Sequence, residues 1–295
     1  MRVLYATDGS EQSAAAGRLV ASMAWPAGSS VRVVCAVDAG AAFFGAPLAP
    51  AVPANADLLE QQLRDDGKRI VEAAVAELSS ANVAVDCMVA DDRPATAVVE
   101  EARDWPADLI VMGSRGHGQI ASMVLGSVSA EVVDHAPCPV LVARRPTFGR
   151  AILGHDGSAC ARHAETVIAE WPIFAGVAIE VVSIAPGGPP WAAGLAQTMY
   201  AGSMDAYVDS AKATITADSE LAEAAARRLR LANRQATSSV SEGAPATELI
   251  RLAEERAADV IVIGTRGQTG LRRLLVGSVA RNVMQHAHCS VLIVR

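Results

Sequence analysis

Apolar residues occur along this chain in short blocks. Each block is followed by a longer stretch in which apolar positions recur every three or four residues. The first block is Val3-Leu4-Tyr5-Ala6. The pattern predicts strands over 2–6, 31–37, 83–90, 108–112 and 140–143. Between them it predicts helices over about 10–24, 57–81, 95–103 and 127–136. A Pro/Ala-rich loop falls at about 38–56 and a Gly-rich loop at 113–125. The strand runs are short and rich in β-forming residues. Strands of that kind alternating with helices predict an α/β fold with a parallel sheet and helices on both faces. Right-handed crossovers place ligand sites in such a fold at the carboxyl ends of the strands.

The same order then repeats. Leu109-Ile-Val-Met-Gly-Ser-Arg-Gly116 returns as Val260-Ile-Val-Ile-Gly-Thr-Arg-Gly267. Leu125-Gly-Ser-Val128 returns as Val276-Gly-Ser-Val279, and Cys138-Pro-Val-Leu-Val142 as Cys289-Ser-Val-Leu-Ile293. These three matches share an offset of 151, whereas Asp8-Gly9-Ser10 returns as Asp156-Gly157-Ser158 at an offset of 148. A period this long indicates duplicated domains rather than a solenoid of short units. The expected domains are 1–146 and 147–295, joined near Pro146 and Gly149.

Composition agrees with two packed domains. The chain has 295 residues, 51% hydrophobic and 19% charged, enough apolar mass for sizeable cores. Its net charge of −7 argues against non-specific nucleic-acid binding. The charge is uneven. Residues 1–146 hold 11 basic against 18 acidic side chains, and residues 147–295 hold 14 of each. No apolar run is long enough for a membrane span. The opening residues reach Asp8 too early for a secretory leader, so a cytoplasmic protein without membrane partners is expected. The five scattered cysteines contain no C-x-x-C and read as buried or half-buried thiols, not as a disulfide framework or zinc site.

The strand ends carry the candidate chemistry. The first strand of each copy runs into Asp8-Gly-Ser or Asp156-Gly-Ser. This is either a helix start signal or an acceptor for a ligand hydroxyl or amine. The fourth strand runs into Gly113-x-x-Gly116, nine residues, then Gly126-Ser127. In the second copy these are Gly264-x-x-Gly267, nine residues, then Gly277-Ser278. Glycines permit close backbone approach, and a Gly-Ser pair opening a helix suits an anion such as phosphate. Arg115 and Arg266 lie within reach, and the Ser127 and Ser278 hydroxyls add donors. Loop packing is expected to place no demand of its own on the repeated glycine spacing. Neither lysine precedes Ser or Thr, so a P-loop is excluded. Gly116-His-Gly118-Gln-Ile-Ala121 fits a relaxed dinucleotide fingerprint, but the second copy lacks it.

These residues resemble the universal stress protein family over nearly the whole chain, as two tandem domains. The family pattern G-x2-G-x9-G-[S/T] is intact in both copies. The resemblance to the ATP-binding branch implies two Rossmann-like domains of the adenine nucleotide alpha hydrolase-like type. Each would have a five-stranded parallel sheet in the order 3-2-1-4-5. It implies that Asp8 and Asp156 face adenosine, and that Ala36 and Ile184 meet adenine through their backbone. Gly113, Gly116, Gly126 and Ser127 would hold phosphates, as would Gly264, Gly267, Gly277 and Ser278. The implied ligand is ATP, ADP or AMP, with Mg²⁺ or Mn²⁺ as a possible companion. One departure stands out: Gly243-Ala-Pro245 in the second copy is Asp92-Arg-Pro94 in the first. An inward acidic side chain there would oppose a phosphate, so weaker binding by the first copy is expected.

Efficient catalysis is not expected. His117 has Gln268 as its counterpart, and His135 and His286 lie late in the last helices, where they read as capping or interface residues. No Ser-His-Asp set can be assembled, and no metal site is expected at His286-Ala-His288. The family's edge strands pair between subunits. The resemblance thus implies that the two copies pair as an intramolecular pseudo-dimer, with a further homodimer open. The long loops bearing Phe43, Phe44, Trp191 and Tyr200 read as local packing, a lid or a docking surface. Three readings remain open: a nucleotide-binding regulator with at most slow ATP hydrolysis, an interaction module with a vestigial pocket, and an enzyme.

Overall fold

The central strands of each half are apolar and buried on both faces. The computed structural model describes residues 1–38, 56–79, 81, 83–116, 125–186, 201–267 and 276–295. The chain divides into two compact units, Met1–Phe148 and Gly149–Arg295. The first holds β1 (Arg2–Ala6), α1 (Glu11–Ser22), β2 (Ser30–Val37), α2 (Ala56–Leu78) and β3 (Ala84–Asp91). It continues with α3 (Pro94–Asp104), β4 (Leu109–Gly113), α4 (Ser127–His135) and β5 (Val140–Ala143). The second holds β6 (Arg150–Gly154), α5 (Ala159–Glu170), a short turn Pro172–Phe174, β7 (Ala178–Ala185) and α6 (Ala201–Leu231). It ends with β8 (Gln235–Glu242), α7 (Pro245–Glu255), β9 (Val260–Gly264), α8 (Ser278–His286) and β10 (Ser290–Val294).

In the first unit the strands run parallel in the order β3-β2-β1-β4-β5. The second unit repeats this as β8-β7-β6-β9-β10. The chain reverses its direction across the sheet between β3 and β4. Right-handed crossovers then put α1 and α2 on one face and α3 and α4 on the other. Accordingly α1 packs on β4 and β5 beside α2, which covers β2 and β3, while α3 packs with α4. The reversal leaves a crevice between β1 and β4 at their carboxyl ends.

Local chemistry sets the helix starts. Ser10 and Ser158 cap α1 and α5, their hydroxyls accepting from Ser13 N and Ala161 N at 3.3 and 3.2 Å. Proline occupies the first turn of α3 and α7, where no backbone donor is needed. The Nδ1 atoms of His135 and His286 bond the carbonyls of Glu131 and Asn282, four residues back in the same helices, at 2.9 and 3.0 Å. One expectation fails. Cys87 is exposed, because β3 is the last strand of its unit's order and only part of it is covered.

Leu109 lies at 0% exposure on central strand β4. The variant Leu109→Ala should lower the unfolding free energy by about 2–5 kcal/mol, read by urea unfolding.

Candidate functional site

At the carboxyl ends of β1, β2 and β4 the first unit opens a cleft of about 460 Å³. That lies within the range of small-molecule sites, roughly 300–1,000 Å³. All seven first-copy candidates line it: Asp8, Ala36, Gly113, Arg115, Gly116, Gly126 and Ser127. Sequence reading missed Val34, Pro94 and Val98, which give the cleft an apolar wall. It also missed Ser129, whose hydroxyl donates to Gly113 O at 2.9 Å and ties the start of α4 to the end of β4. No repeat flagged Ser129, since the second copy has Ala280 there.

The turn after β1 holds Asp8. Its Oδ1 accepts from Ser10 N at 3.0 Å, and Ser10 itself caps the helix. The Ser10 hydroxyl also donates to Arg115 O at 3.5 Å, joining the first loop to the fourth. The second copy repeats both contacts: Asp156 Oδ1 accepts from Ser158 N at 3.0 Å, and Ser158 Oγ donates to Arg266 O at 3.2 Å. The Arg115 and Arg266 side chains are exposed.

Packing does place a demand on the glycines, contrary to expectation. A Cβ on Gly113 would lie 2.8 Å from the backbone of Gln12 and Ser13 in the first turn of α1. A Cβ on Gly264 would lie 2.6 Å from Cys160 Cβ in α5. On Gly116 it would run into Asp8 Oδ2, and on Gly267 it would lie 2.7 Å from Asp156 Oδ2. The close approach of strand to helix backbone therefore accounts for Gly113 and Gly264 without a ligand, whereas at Gly116 and Gly267 only the movable end of an aspartate side chain stands in the way. Gly126 and Gly277 are looser. They open α4 and α8 with no side-chain cap, and their N–H groups donate to Ser114 O and Thr265 O at 2.8 and 2.7 Å. Ser127 and Ser278 are exposed at those helix starts.

Register places Ala36. Ser30 N donates to Met1 O and Val34 O accepts from Thr7 N, both at 2.9 Å, so even-numbered residues of β2 face β1. Ala36 shares that parity and lies past the end of β1, so its carbonyl faces the space over the Asp8 turn. In the second copy Ala178 N donates to Gly149 O, Val182 O accepts from His155 N, and Ile184 has the same parity beyond β6. Asp92 is not among the cleft-lining residues; its Oδ1 accepts from the next backbone N–H, Arg93 N, at 2.6 Å. His117, Gln268 and the aromatics Phe43, Phe44, Trp191 and Tyr200 lie outside the described residues.

Beneath the matching surfaces the two copies differ. Under the first, Tyr5 OH donates to Ser13 O at 2.7 Å, and burial pushes its hydroxyl up to about 12. Thr7 Oγ1 bonds Ser13 Oγ at 3.0 Å and accepts from Gly9 N at 3.2 Å. Cys35 is buried nearby, and burial together with the Asp8 carboxylate raises its thiol to about 11, which leaves it unreactive. Under the second copy the positions of Thr7 and Gly17 are taken by His155 and Glu165. Glu165 is buried and takes Arg228 on both oxygens, at 2.5 and 2.8 Å. Burial alone would raise its carboxyl; the Arg228 guanidinium and the His155 ring outweigh that and hold it at about 2.

With the geometry in hand, comparison decides the family. The model of the universal stress protein family matches residues 1–144 and again 147–295. The chain belongs to the universal stress protein family. It is a tandem universal stress protein, with one domain in each unit. A universal stress protein of Methanocaldococcus jannaschii is 56% identical over 54 residues, 18% of this chain and 32% of that one. Universal stress protein Rv2623 of Mycobacterium tuberculosis is 27% identical over 83% of this chain and 81% of its own length. The crystal structure of a universal stress protein from Archaeoglobus fulgidus covers 100% of this chain and 98% of its own, at a TM-score of 0.65 and 16% identity. That likeness shows the α/β fold.

Two predictions follow from the site. Gly264→Val should destabilise the second domain, with an earlier unfolding transition in calorimetry, because the Cys160 backbone cannot retreat. Glu165 has a folded value of about 2 against an ordinary 4.5, so its stabilisation is present above about pH 4.5 and is lost as pH falls toward 2. Glu165→Gln should therefore make the loss of stability over that window shallower than in the parent, measured as urea midpoints against pH.

Proposed function

We propose that this universal stress protein is an adenine-nucleotide-binding regulator of the stress response, with one site in each domain. The observation that carries the reading is the convergence of Asp8, Ala36, Gly113, Arg115, Gly116, Gly126 and Ser127 on one cleft at the switch point of the sheet. The cleft offers what such a ligand needs. Val34, Val98 and Pro94 give an apolar wall for a base, and the Ala36 carbonyl faces a possible exocyclic amine. Asp8 can accept from ribose. The start of α4, which has no side-chain cap, presents N–H groups and a positive dipole end to phosphate. Asp156, Ile184, Gly264, Arg266, Gly267, Gly277 and Ser278 take the same roles in the second domain.

Among the described residues no group of His, Cys, Asp and Glu is placed to hold a metal. Mg²⁺ or Mn²⁺ would therefore arrive with the phosphates of ATP or ADP rather than sit in a carboxylate cage. Efficient phosphoryl transfer needs a residue that orients the nucleophile. The titratable side chains of the described cleft are Asp8 and Arg115, so the reading is binding with at most slow hydrolysis. Among the described residues no helix is long and apolar enough to cross a membrane, and we place the protein in the cytoplasm. Pairing of the two domains through their apolar closing strands, as a pseudo-dimer within one chain, belongs to the same proposal. A second reading, an interaction module with a vestigial pocket, draws on the demand that packing alone places on Gly113 and Gly264.

The test is the nucleotide content of the purified full chain, read by denaturing it and chromatographing the released small molecules. About two adenine nucleotides per chain are expected for two intact sites. Gly116→Val and Gly267→Val, which displace Asp8 and Asp156, should each remove one. No released nucleotide and no calorimetric binding of ATP with Mg²⁺ would leave the interaction module.

A further inference from the structure

The turn that carries the site aspartate is held differently in the two domains. In the first, the N–H of Gly9 is accepted by the Thr7 hydroxyl at 3.2 Å. In the second, the N–H of Gly157 is accepted by Nδ1 of His155 at 3.3 Å. Both glycines sit at positive φ, +78° and +77°, so the two turns have one shape. Asp8 and Asp156 lie between the paired groups. A hydroxyl accepts this bond at any working pH. An imidazole accepts it only while Nδ1 is unprotonated.

The surroundings of the ring fix its tautomer. Because Nδ1 accepts, the proton of the neutral ring is on Nε2. That atom lies 3.2 Å from Glu165 Oε2, off the line of a well-formed hydrogen bond and without another acceptor. Glu165 comes from α5, and Arg228 from α6 holds both of its oxygens. Asp156 follows the ring in its own turn. Within one register position the adjoining chain brings Val182, Ser183 and Ile184 of β7, and Ile263 and Gly264 of β9 with Thr265 just after it. Ser183 in turn donates to Asp218 of α6 at 3.1 Å. The ring is buried, so an added proton on Nδ1 meets the Gly157 N–H head-on with no water to separate them. One of the two must move, and of the two the ring is buried whereas Gly157 is half-buried.

We propose that His155 is a positioning residue of the second domain's ligand site: its neutral imidazole holds the Gly157 amide, and with it Asp156, in the ligand-accepting turn, and protonation of Nδ1 releases that turn. The second site then loses ligand as pH falls, whereas the first, built on Thr7, does not respond. The inference rests on the nucleotide reading for its ligand but not for its hinge.

The test has two arms on the full-length chain. Without nucleotide, the Gly157 and Gly9 amides are followed by NMR from about pH 7.5 to about pH 5.5, the window in which imidazole titrates. The Gly157 amide should shift with the midpoint of the His155 ring, and Gly9 should stay still. A Gly157 amide that ignores the ring, or a ring that does not titrate in this window, overturns the proposal. In the second arm ATP binding with Mg²⁺ is measured by calorimetry at both pH values, with the first site disabled by Gly116→Val. Affinity should fall about tenfold across the window if one proton must leave for binding. With the second site disabled by Gly267→Val the first should show no such fall. His155→Thr, which installs the first domain's solution, should keep the affinity at the upper pH and abolish the slope. A slope that persists in His155→Thr overturns the proposal. If neither site binds ATP at either pH, the nucleotide reading fails, and the amide titration in the parent chain still decides the role of the ring.

Discussion

The end of β4 lies on the first turn of α1 with no side chain between them, and the same is true of β9 on α5. Gly113 and Gly264 make that approach possible, and a methyl group at either would strike backbone or Cys160. Much of the site follows from it. The fourth loop is brought beside the first, so the capping serines Ser10 and Ser158 reach the carbonyls of Arg115 and Arg266. Gly116 and Gly267 then come against the carboxylates of Asp8 and Asp156. The crevice is a by-product of how tightly strand, helix and turn converge where the sheet changes direction.

This origin limits what the glycine motif says about ligands. One of its three glycines in each copy, Gly113 or Gly264, is required by backbone contacts within the protein. The third, Gly126 or Gly277, leaves a helix start without a side-chain cap, and it is here that an anion has something to gain. The nucleotide reading therefore leans on the assembled cleft more than on the spacing. Asp92, which sequence reading set against a phosphate, instead accepts from the backbone N–H of Arg93 and is not among the cleft-lining residues.

Duplication preserved the surface and let the layer beneath it diverge. Below the first site lies a set of hydroxyls: Tyr5, Thr7, Ser10 and Ser13. Gly17 leaves room there for the tyrosine. Below the second lies a buried imidazole beside an ion pair that joins α5 to α6. Both arrangements satisfy the same turn N–H, one with a group that does not titrate and one with a group that does. Two turns of equal shape thus rest on different chemistry.

The order of elements, the duplication and the candidate residues were legible in the sequence. They depend on local periodicity and on repeated spacing, which are properties of neighbours along the chain. The parallel α/β layout followed for the same reason, since short strand runs separated by helices predict a parallel sheet covered by them. What tertiary structure alone decided is which atoms meet. No local pattern says that the missing Cβ of Gly116 makes room for Asp8, or that the hydroxyl of Ser129 bonds the end of β4. The pairing of Glu165 with Arg228 is likewise invisible in sequence, because it spans 63 residues and two helices. Burial then gives such contacts their weight. An imidazole that would be solvated on the surface has only its protein neighbours to bond once it is buried, as His155 is.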